Sequence, residues 1–485
     1  MIIKTIRLSC HPDRYFRRFS CYPVLFGISR LGRMSFLCTR CEKINSMKNL
    51  ILPIVLILLC TSKLLAQNPE PKKPAFGIAF SGYVKTDLFF DSRQTVGLRE
   101  GHFLLFPENE KPDAEGNDIN AKANYNILSI QTRLAGTITA PDALGAKTSG
   151  YIEAEFFGNI NPAINSFRLR HAWVKLTWPK TELLVGQWWH PMFVPECSPG
   201  TVSFNTGAPF VVFSRNPQIK LTQSIGKVRI ALTVLSQVDF VSDGPDGPNA
   251  KYLRNSVLPE SDLQVQYATK NDEKGTELII GAGINYQLLT PRLSTLVTLT
   301  PAYDTVINNL VFHHDATTSS YKVNTKSGSL AGNLYAKLKL KQVTLKAGAE
   351  YGGNNNAYTM LGGFAVRSVT DAEKGFVDYV NVRSFAAWTE FHTNSLKLQP
   401  GLFIAYGKNL GCSEEAIGPY YARGANIDYA YRVSPRLVFN VNKLRLAGEL
   451  EYTVAAYGKT TSKGYVSDSK EIGNLRILLG VYYFF

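Results

Sequence analysis

The side chains that could do chemistry in this sequence are charged residues set between apolar neighbours. Alternation with a period of two places such residues together on one face of a β-strand. If that face lines a water-filled lumen, an excess of Arg and Lys favours the passage of anions. The set predicted for this face has 11 basic and 8 acidic members: Arg133, Lys220, Arg229, Lys337, Lys339, Lys346, Lys397, Arg432, Arg436, Arg445 and Arg476, with Glu153, Glu155, Asp262, Glu277, Glu350, Asp428, Glu449 and Glu451. A wall of paired or solvated mixed charge is the alternative.

Catalytic and metal-binding patterns are sparse. The patterns G-x-S-x-G and H-E-x-x-H are both absent from the sequence. His313 and His314 are predicted to be a surface pair in a long loop, because a zinc site needs more ligands than two. Asp243, Asp246 and Asn249 could bind Ca²⁺, but their spacing is not that of an EF-hand, and a turn is the prediction. The sequence therefore predicts a protein that is not an enzyme and holds no cofactor or metal.

Nearly all of the chain from residue 76 onward alternates polar and apolar side chains. Sixteen such runs are found, among them 343–352 and 443–457, and the connections between them are alternately short and long. A transmembrane β-barrel has short periplasmic turns, long external loops and an even number of strands. The sequence therefore predicts an all-β protein, a 16-stranded antiparallel transmembrane β-barrel over residues 76–485.

The last run ends the chain on GNLRILLGVYYFF. Every second residue from Leu475 to Phe485 is apolar or aromatic, while the intervening set carries Arg476. Because an open strand edge in lipid would leave backbone groups unpaired, the barrel must close, and the apolar face is predicted to meet lipid. A terminal Phe485 preceded by alternating aromatics also resembles the signal read by the outer-membrane barrel assembly machinery.

The connection 190–216, HPMFVPECSPGTVSFNTGAPFVVFSRN, is apolar and interrupted by Pro and Gly, unlike a solvated external loop. It follows the fifth predicted strand, and its position is similar to that of the loop that 16-stranded porins fold into the lumen. We predict that it forms a constriction, with Glu196 and Arg215 as its charged members. A hydrophobic external lid or partner surface is the alternative.

The run 166–178 gives an ambiguous face. Val174 and Leu176 are predicted to face outward, but Arg168 and Arg170 share their parity. An Arg or Lys on the lipid face costs about 2–4 kcal/mol at the bilayer midplane. Three explanations stay open: a bulge resets the face, both arginines stand above the membrane, or this wall faces another subunit.

Three segments, RLAGTITAPDALGAKTSGYIEAEFFG (133–158), FRLRHAWVKL (167–176) and LLVGQWWHPMF (183–193), resemble trimeric outer-membrane porins of the DcaP-like family. The resemblance covers mainly residues 80–215. It implies 16-stranded diffusion channels, some of which favour dicarboxylates and other small anions through arginines in the constriction. Arg133, Arg168 and Arg170 match the motif positions, and Lys175 lies in the second segment. The coiled-coil segment that precedes the barrel in some family members has no counterpart in the sequence.

Residues 47–66 are predicted to be a secretory signal peptide, because a basic start precedes the apolar run 50–60 and a small-residue cleavage site ends at Ala66. That run is shorter than the roughly 20 residues that cross a bilayer. Residues 1–46 are interpreted as an upstream extension outside the protein proper, and a small cysteine-rich zinc module is the alternative. Residues 67–75 would form a short periplasmic segment before the barrel.

The basic charge of the sequence is concentrated at its start. The whole chain has 53 Lys/Arg and 38 Asp/Glu, a formal net charge of +15. Residues 1–66 hold 11 of the basic and 2 of the acidic residues, which leaves 42 and 36 and a net charge of +6. A nucleic-acid partner therefore loses its main support. Of the seven cysteines only Cys197 and Cys412 lie beyond residue 66, so at most one disulfide can form there.

Together these features predict a porin of the Gram-negative outer membrane that passes small hydrophilic solutes and prefers anions such as dicarboxylates. Its predicted partners are outer-membrane lipid, the solutes and two further copies of the chain. The predicted pore-lining residues are Arg133, Glu153, Glu155, Arg168, Arg170, Lys175, Glu196, Arg215, Arg432, Arg436 and Arg445. A receptor or adhesin that acts through its long loops is the main alternative, and an outer-membrane barrel enzyme is the other.

Overall fold

The computed structural model describes residues 76–485, and residues 1–75, with the predicted signal peptide, lie outside the described residues. Sixteen strands form one closed sheet. In chain order they are β1 Gly77–Asp91, β2 in two segments Asn124–Leu128 and Arg133–Thr139, β3 Lys147–Glu155, β4 Arg168–Thr177, β5 Thr181–Trp189, β6 Arg215–Ile225, β7 Val228–Leu235, β8 Glu260–Asn271, β9 Thr276–Leu289, β10 Ser327–Lys339, β11 Val343–Gly353, β12 Phe376–Thr393, β13 Leu398–Gly411, β14 Ile427–Val441, β15 Leu444–Thr460 and β16 Val466–Phe484.

The first and last strands close the barrel. β1 pairs antiparallel with β16, with Val84 opposite Tyr483, and on its other edge with β2. The last residue takes part in this seam, since the backbone N of Phe485 donates to Gly82 O at 3.1 Å and the backbone N of Gly82 donates to Phe485 O at 3.3 Å. Closure satisfies the backbone groups that an open edge would expose to lipid. The prediction of 16 antiparallel strands in a barrel is confirmed.

The connections are short at one end of the barrel and long at the other, and several long connections contain elements of their own. These are the strands Thr95–Leu98, Phe103–Pro107, Ser294–Thr300, Tyr303–Ile307, Leu310–His314, Thr317–Lys322, Gly362–Asp371 and Tyr420–Arg423, the helix α1 Lys251–Ser256, and 3-10 turns at Ile119–Ala121, Asn161–Ala163 and Asn355–Tyr358. Within residues 76–485 no helix is long and apolar enough to cross a bilayer.

The barrel is apolar outside and polar inside. On β16, Leu479 is 53% and Ile477 42% exposed, whereas the alternating Asn474 and Arg476 are buried. Exposed apolar side chains follow this alternation on most strands, which produces the lipid-facing surface of a membrane barrel. The predicted assignment of faces is confirmed on this strand.

The largest apolar cluster lies inside the barrel. It joins Phe204, Phe210 and Phe213 of the segment 190–216 with the strand Phe103–Pro107 and with residues 357–361. A barrel of sixteen strands is too wide for wall side chains alone to fill. Segments folded inward from the long loops therefore supply this core. Cys197 and Cys412 are both buried and free, so the disulfide that the sequence allowed is not formed.

Candidate constriction site

The segment 190–216, called here the lumenal loop, crosses the lumen and is fastened to inward-facing wall side chains. Glu449 on β15 accepts hydrogen bonds from the backbone N of Val202 at 2.6 Å and of Ser203 at 2.7 Å. Further wall side chains donate to backbone carbonyls of the loop: Asn333 to Met192, Lys346 to Ser198, Lys85 and Tyr482 to Val202, and Arg432 to Ala208. The prediction that this loop folds into the lumen is confirmed, and the external lid is wrong.

A β-bulge on β4 explains how Arg168 and Arg170 reach the lumen. Glu153 of β3 lies opposite His171, but the next β3 residue lies opposite Leu169, so the register skips Arg170. The extra residue resets the face of the strand. Arg168 and Arg170 therefore face the lumen although they share the parity of Val174, which is exposed on the outer face. The bulge is the correct one of the three explanations.

Arginines and carboxylates meet on the wall formed by β2, β3 and β4. Oε1 of Glu155 accepts hydrogen bonds from Arg170 Nη1 at 2.7 Å and Arg168 Nη2 at 2.8 Å, and its Oε2 accepts one from Arg133 Nη2 at 3.2 Å. Glu153 accepts a second bond from Arg170, at 2.6 Å from Nε. The Glu155 side chain is fully buried, while that of Arg133 is 19% exposed. The structure thus brings five of the predicted residues together.

Two further residues complete this group. Asp239, in the connection after β7, accepts hydrogen bonds from Arg215 Nη2 at 2.6 Å and from Arg168 Nη1 at 2.9 Å. Burial alone would raise the pKa of Asp239, but the guanidinium groups of Arg215 and Arg168 hold it below its usual value. No sequence signal pointed to Asp239, because a loop has no side-chain periodicity.

These seven residues are called the arginine cluster. Its members are Arg133, Arg168, Arg170 and Arg215 with Glu153, Glu155 and Asp239. Four positive and three negative groups give the cluster a net charge of +1. Each arginine therefore has a carboxylate partner. The cluster has both the excess of basic residues that the sequence predicted and the paired mixed charge that was the alternative.

Arg432, Arg436 and Arg445 do not join the arginine cluster. Arg432 is fully buried with Nη1 3.5 Å from Glu451, and Arg436 lies 2.5 Å from Glu390. Arg432 also holds the lumenal loop, as described above. Arg445 donates to a neighbouring asparagine near the short-turn end of the barrel. Arg432 and Arg436 therefore lie buried in the part of the barrel wall to which the lumenal loop is bonded.

Lys175 and Glu196 line a separate cavity of about 500 Å³ on the short-turn side of the lumenal loop. The inward faces of β4–β8 enclose it, with residues 190–196 on the loop side. We call it the lumenal cavity. Its charged lining consists of Lys175, Lys180, Lys220 and Arg229 with Glu182 and Glu196, four positive and two negative groups with a net charge of +2.

Sequence reasoning missed two buried ionic groups beside β1. Asp87 lies 3.0 Å from Lys85 Nζ and 2.8 Å from His102 Nε2, and Asp91 pairs with Arg476 at 2.6 Å. Burial lowers the pKa of His102, against the opposing effect of Asp87. The alternation of Lys85 and Asp87 with apolar residues was a usable signal, whereas the loop residue His102 offered none.

A further buried group joins the lumenal loop to a second inward segment, residues 354–361. Oε1 of Glu260 on β8 lies 2.8 Å from His190 Nε2 and accepts a hydrogen bond from the Tyr358 hydroxyl at 2.7 Å. The backbone N of Phe213 donates to Tyr358 O at 3.0 Å. Both segments are thereby fixed to the wall and to each other.

Comparisons with known proteins bear on the fold. No protein-family model and no curated protein sequence matches the chain. The outer membrane channel DcaP of Acinetobacter baumannii is similar in structure, with a TM-score of 0.58 and 15% identity over 84% of this chain and 97% of that one. The anion-selective porin from Comamonas acidovorans matches with a TM-score of 0.46 and 12% identity over 84% of this chain and 100% of that one. The likeness to DcaP supports the barrel fold.

Proposed function

We propose that the chain is a porin of the Gram-negative outer membrane, a passive diffusion channel for small hydrophilic solutes that prefers anions such as dicarboxylates. One observation carries the proposal: a closed, externally apolar barrel has its lumen narrowed by an anchored internal loop that packs against the arginine cluster, with Arg170 over the ring of Phe204 at 6.0 Å. An apolar exterior suits lipid, and a barrel of sixteen strands is wide enough for an aqueous path beside such a loop.

The charge of the inner wall supports the preference for anions. The arginine cluster carries +1 and the lumenal cavity +2, by the counts given above. Arginine stays protonated at any physiological pH. A cleft lined by one excess sign attracts counter-ions and raises their local concentration. The 19% exposure of Arg133 and the 10% exposure of Arg168 leave both side chains reachable by a solute.

The proposal extends to export and assembly. Residues 47–66 would direct secretion and be removed after Ala66, and Phe485, which lies in the closing seam, would be read by the barrel assembly machinery. Three copies would form the native channel. Amino-terminal sequencing of the protein from outer membranes tests the first point, with Gln67 expected first. Chemical crosslinking in membranes tests the trimer.

Conductance in planar bilayers tests the function. The refolded protein should give ohmic steps, grouped in threes for a trimer, and a reversal potential of anion-selective sign in a KCl gradient. A correctly folded barrel that never conducts would overturn the channel. Cation selectivity would overturn the anion preference and leave the channel standing.

One feature favours a receptor or adhesin as the second candidate. The two nested strand pairs between Ser294 and Lys322 form an arm with exposed apolar side chains, for example Leu296 at 70%, Val306 at 67% and Val311 at 65%. Deleting residues 296–320 should leave conductance unchanged if the protein is a porin only. Loss of binding to cells or to another protein, with conductance intact, would favour the receptor. The proposal includes no catalytic step.

A further inference from the structure

We propose that the lumenal cavity is a binding subsite for small carboxylates that carry a flat ring, such as aromatic acids. The inference rests on the proposed channel for the route by which the solute arrives. It specifies the solute class from the chemistry of the cavity wall. Its volume of about 500 Å³ lies within the range of roughly 300–1,000 Å³ that small-molecule sites occupy.

Tryptophan is concentrated in the wall of this cavity. The whole chain has five tryptophans, and four of them, Trp173, Trp178, Trp188 and Trp189, line the cavity. The rings of Trp173 and Trp188 stand 6.0 Å apart at an interplanar angle of 85°, which forms an aromatic corner. Tyr151 stacks on Trp173 with ring centroids 5.6 Å apart. A path that served only acyclic anions would gain nothing from such surfaces, whereas a flat ring gains contact area and favourable ring geometry.

Three of the four cations of the cavity are free to meet a carboxylate. Lys175 is paired with Glu182 at 3.2 Å, but Lys180, Lys220 and Arg229 form no ion pair with any residue of the described part of the chain. Lys220 is half-buried, and Arg229 is exposed within the lumen. A carboxylate bound at either group would make charge-assisted hydrogen bonds, which are about twice as strong as neutral ones. Ring and carboxylate together therefore match the cavity better than either alone.

Three probes separate the two parts of the recognition. Benzoate has the ring and the carboxylate, acetate only the carboxylate, and benzyl alcohol only the ring. Refolded protein is titrated with each, and binding is followed by intrinsic tryptophan fluorescence and by block of single channels. We expect benzoate to bind at least about tenfold more tightly than either partial probe, the difference expected when a charge-assisted contact is lost. Equal affinity for benzoate and acetate would overturn the proposal.

Matched variants locate the site. Lys220→Gln should weaken benzoate about tenfold and leave benzyl alcohol unchanged, and Trp188→Leu should weaken both ring-bearing probes and leave acetate unchanged. Lys397→Gln removes the same charge outside the cavity and should change the affinity for none of the three probes.

Heat-modifiable migration on gels confirms that each variant folds. Unchanged benzoate binding in folded Lys220→Gln would refute the site. Saturable benzoate binding without KCl conductance would support the binding site and refute the channel. KCl conductance without selective benzoate binding would support the channel and refute the binding site.

Discussion

Replacing Glu155 by Gln should make the channel more anion-selective. The Glu155 carboxylate is fully buried and accepts hydrogen bonds from Arg133, Arg168 and Arg170. Glutamine has nearly the same shape but no charge, so the net charge of the arginine cluster rises from +1 to +2. The arginines stay charged because their intrinsic pKa is above 12.

The size of the effect follows from Coulomb's law. At about 8 Å and an effective dielectric constant of about 40, one added charge changes the energy of a monovalent ion by about 1 kcal/mol. That is roughly a fivefold rise in anion concentration at the constriction at low salt, and screening reduces it above about 0.1 M. The substitution also removes a partner from buried arginines, a change that costs about 3–5 kcal/mol in typical buried ion pairs. The barrel should still close, because the substitution destabilises only side-chain contacts on β2–β4 and leaves the backbone pairing of the sixteen strands unchanged.

The assay is the reversal potential of single channels in a tenfold KCl gradient with the dilute side near 0.01 M. In Glu155→Gln the chloride concentration at the constriction should rise roughly fivefold and the potassium concentration should fall by the same factor, so the ratio of chloride to potassium permeability should rise roughly 25-fold at low salt. Arg170→Gln should move the ratio in the opposite direction, because it lowers the cluster to zero net charge. Asp371→Asn, at the end of the strand Gly362–Asp371 in a long connection, makes the same change in total charge away from the lumen and should leave the ratio unchanged.

A folded Glu155→Gln channel with the wild-type reversal potential would refute the reasoning. It would mean that ions pass without sensing the arginine cluster. An equal shift in Asp371→Asn would also contradict it, because the effect would then come from the total charge of the protein.

Three further predictions concern the lumenal loop and the buried groups Cys412 and Asp239 outside it. Glu449→Gln loses the charge-assisted hydrogen bonds to the backbone N–H groups at 202–203, each worth about 1.5–3 kcal/mol. Single-channel recordings of this variant should therefore show larger conductance or flicker caused by the loosened loop. Steady steps of wild-type size in the variant would contradict the anchoring role. Burial raises the pKa of Cys197 to about 12 and that of Cys412 to about 11, so at pH 8 a thiol reagent should label neither in the folded protein and both after unfolding; rapid labelling of the native barrel would count against this placement. The pKa of Asp239 is lowered in the folded protein, so its ion pairs contribute stability above the unfolded value of about 3.9 and lose it as pH falls through the folded value; the difference in thermal stability between the wild type and Asp239→Asn should therefore be constant from pH 7 to about pH 4.5 and shrink only below, and a transition in that difference near pH 6 would be inconsistent with it.

The sequence alone was sufficient for the barrel and its faces, because both depend on a local rule. The period of two along one strand decides which side chains point to lipid, and on β16 it assigned Leu479 and Arg476 to the faces on which the structure has them. The count of alternating runs gave the strand number for the same reason, and the alternation of short and long connections indicated a transmembrane barrel. The composition of residues 190–216, together with their position after the fifth strand, also favoured a loop inside the lumen, since apolar residues in a long connection need a place to be buried. Composition alone left an external lid open.

Only the tertiary structure decided which charges meet. The bulge that turns Arg168 and Arg170 inward is a property of the pairing between β3 and β4, and neither strand reveals it separately. Asp239 and residues 354–361 reach the lumen by loop closure, which brings together residues that are distant in sequence and carry no periodic signal. Periodicity specifies the direction of a side chain, but its partner depends on contacts across the barrel, and those exist only after the strands have closed.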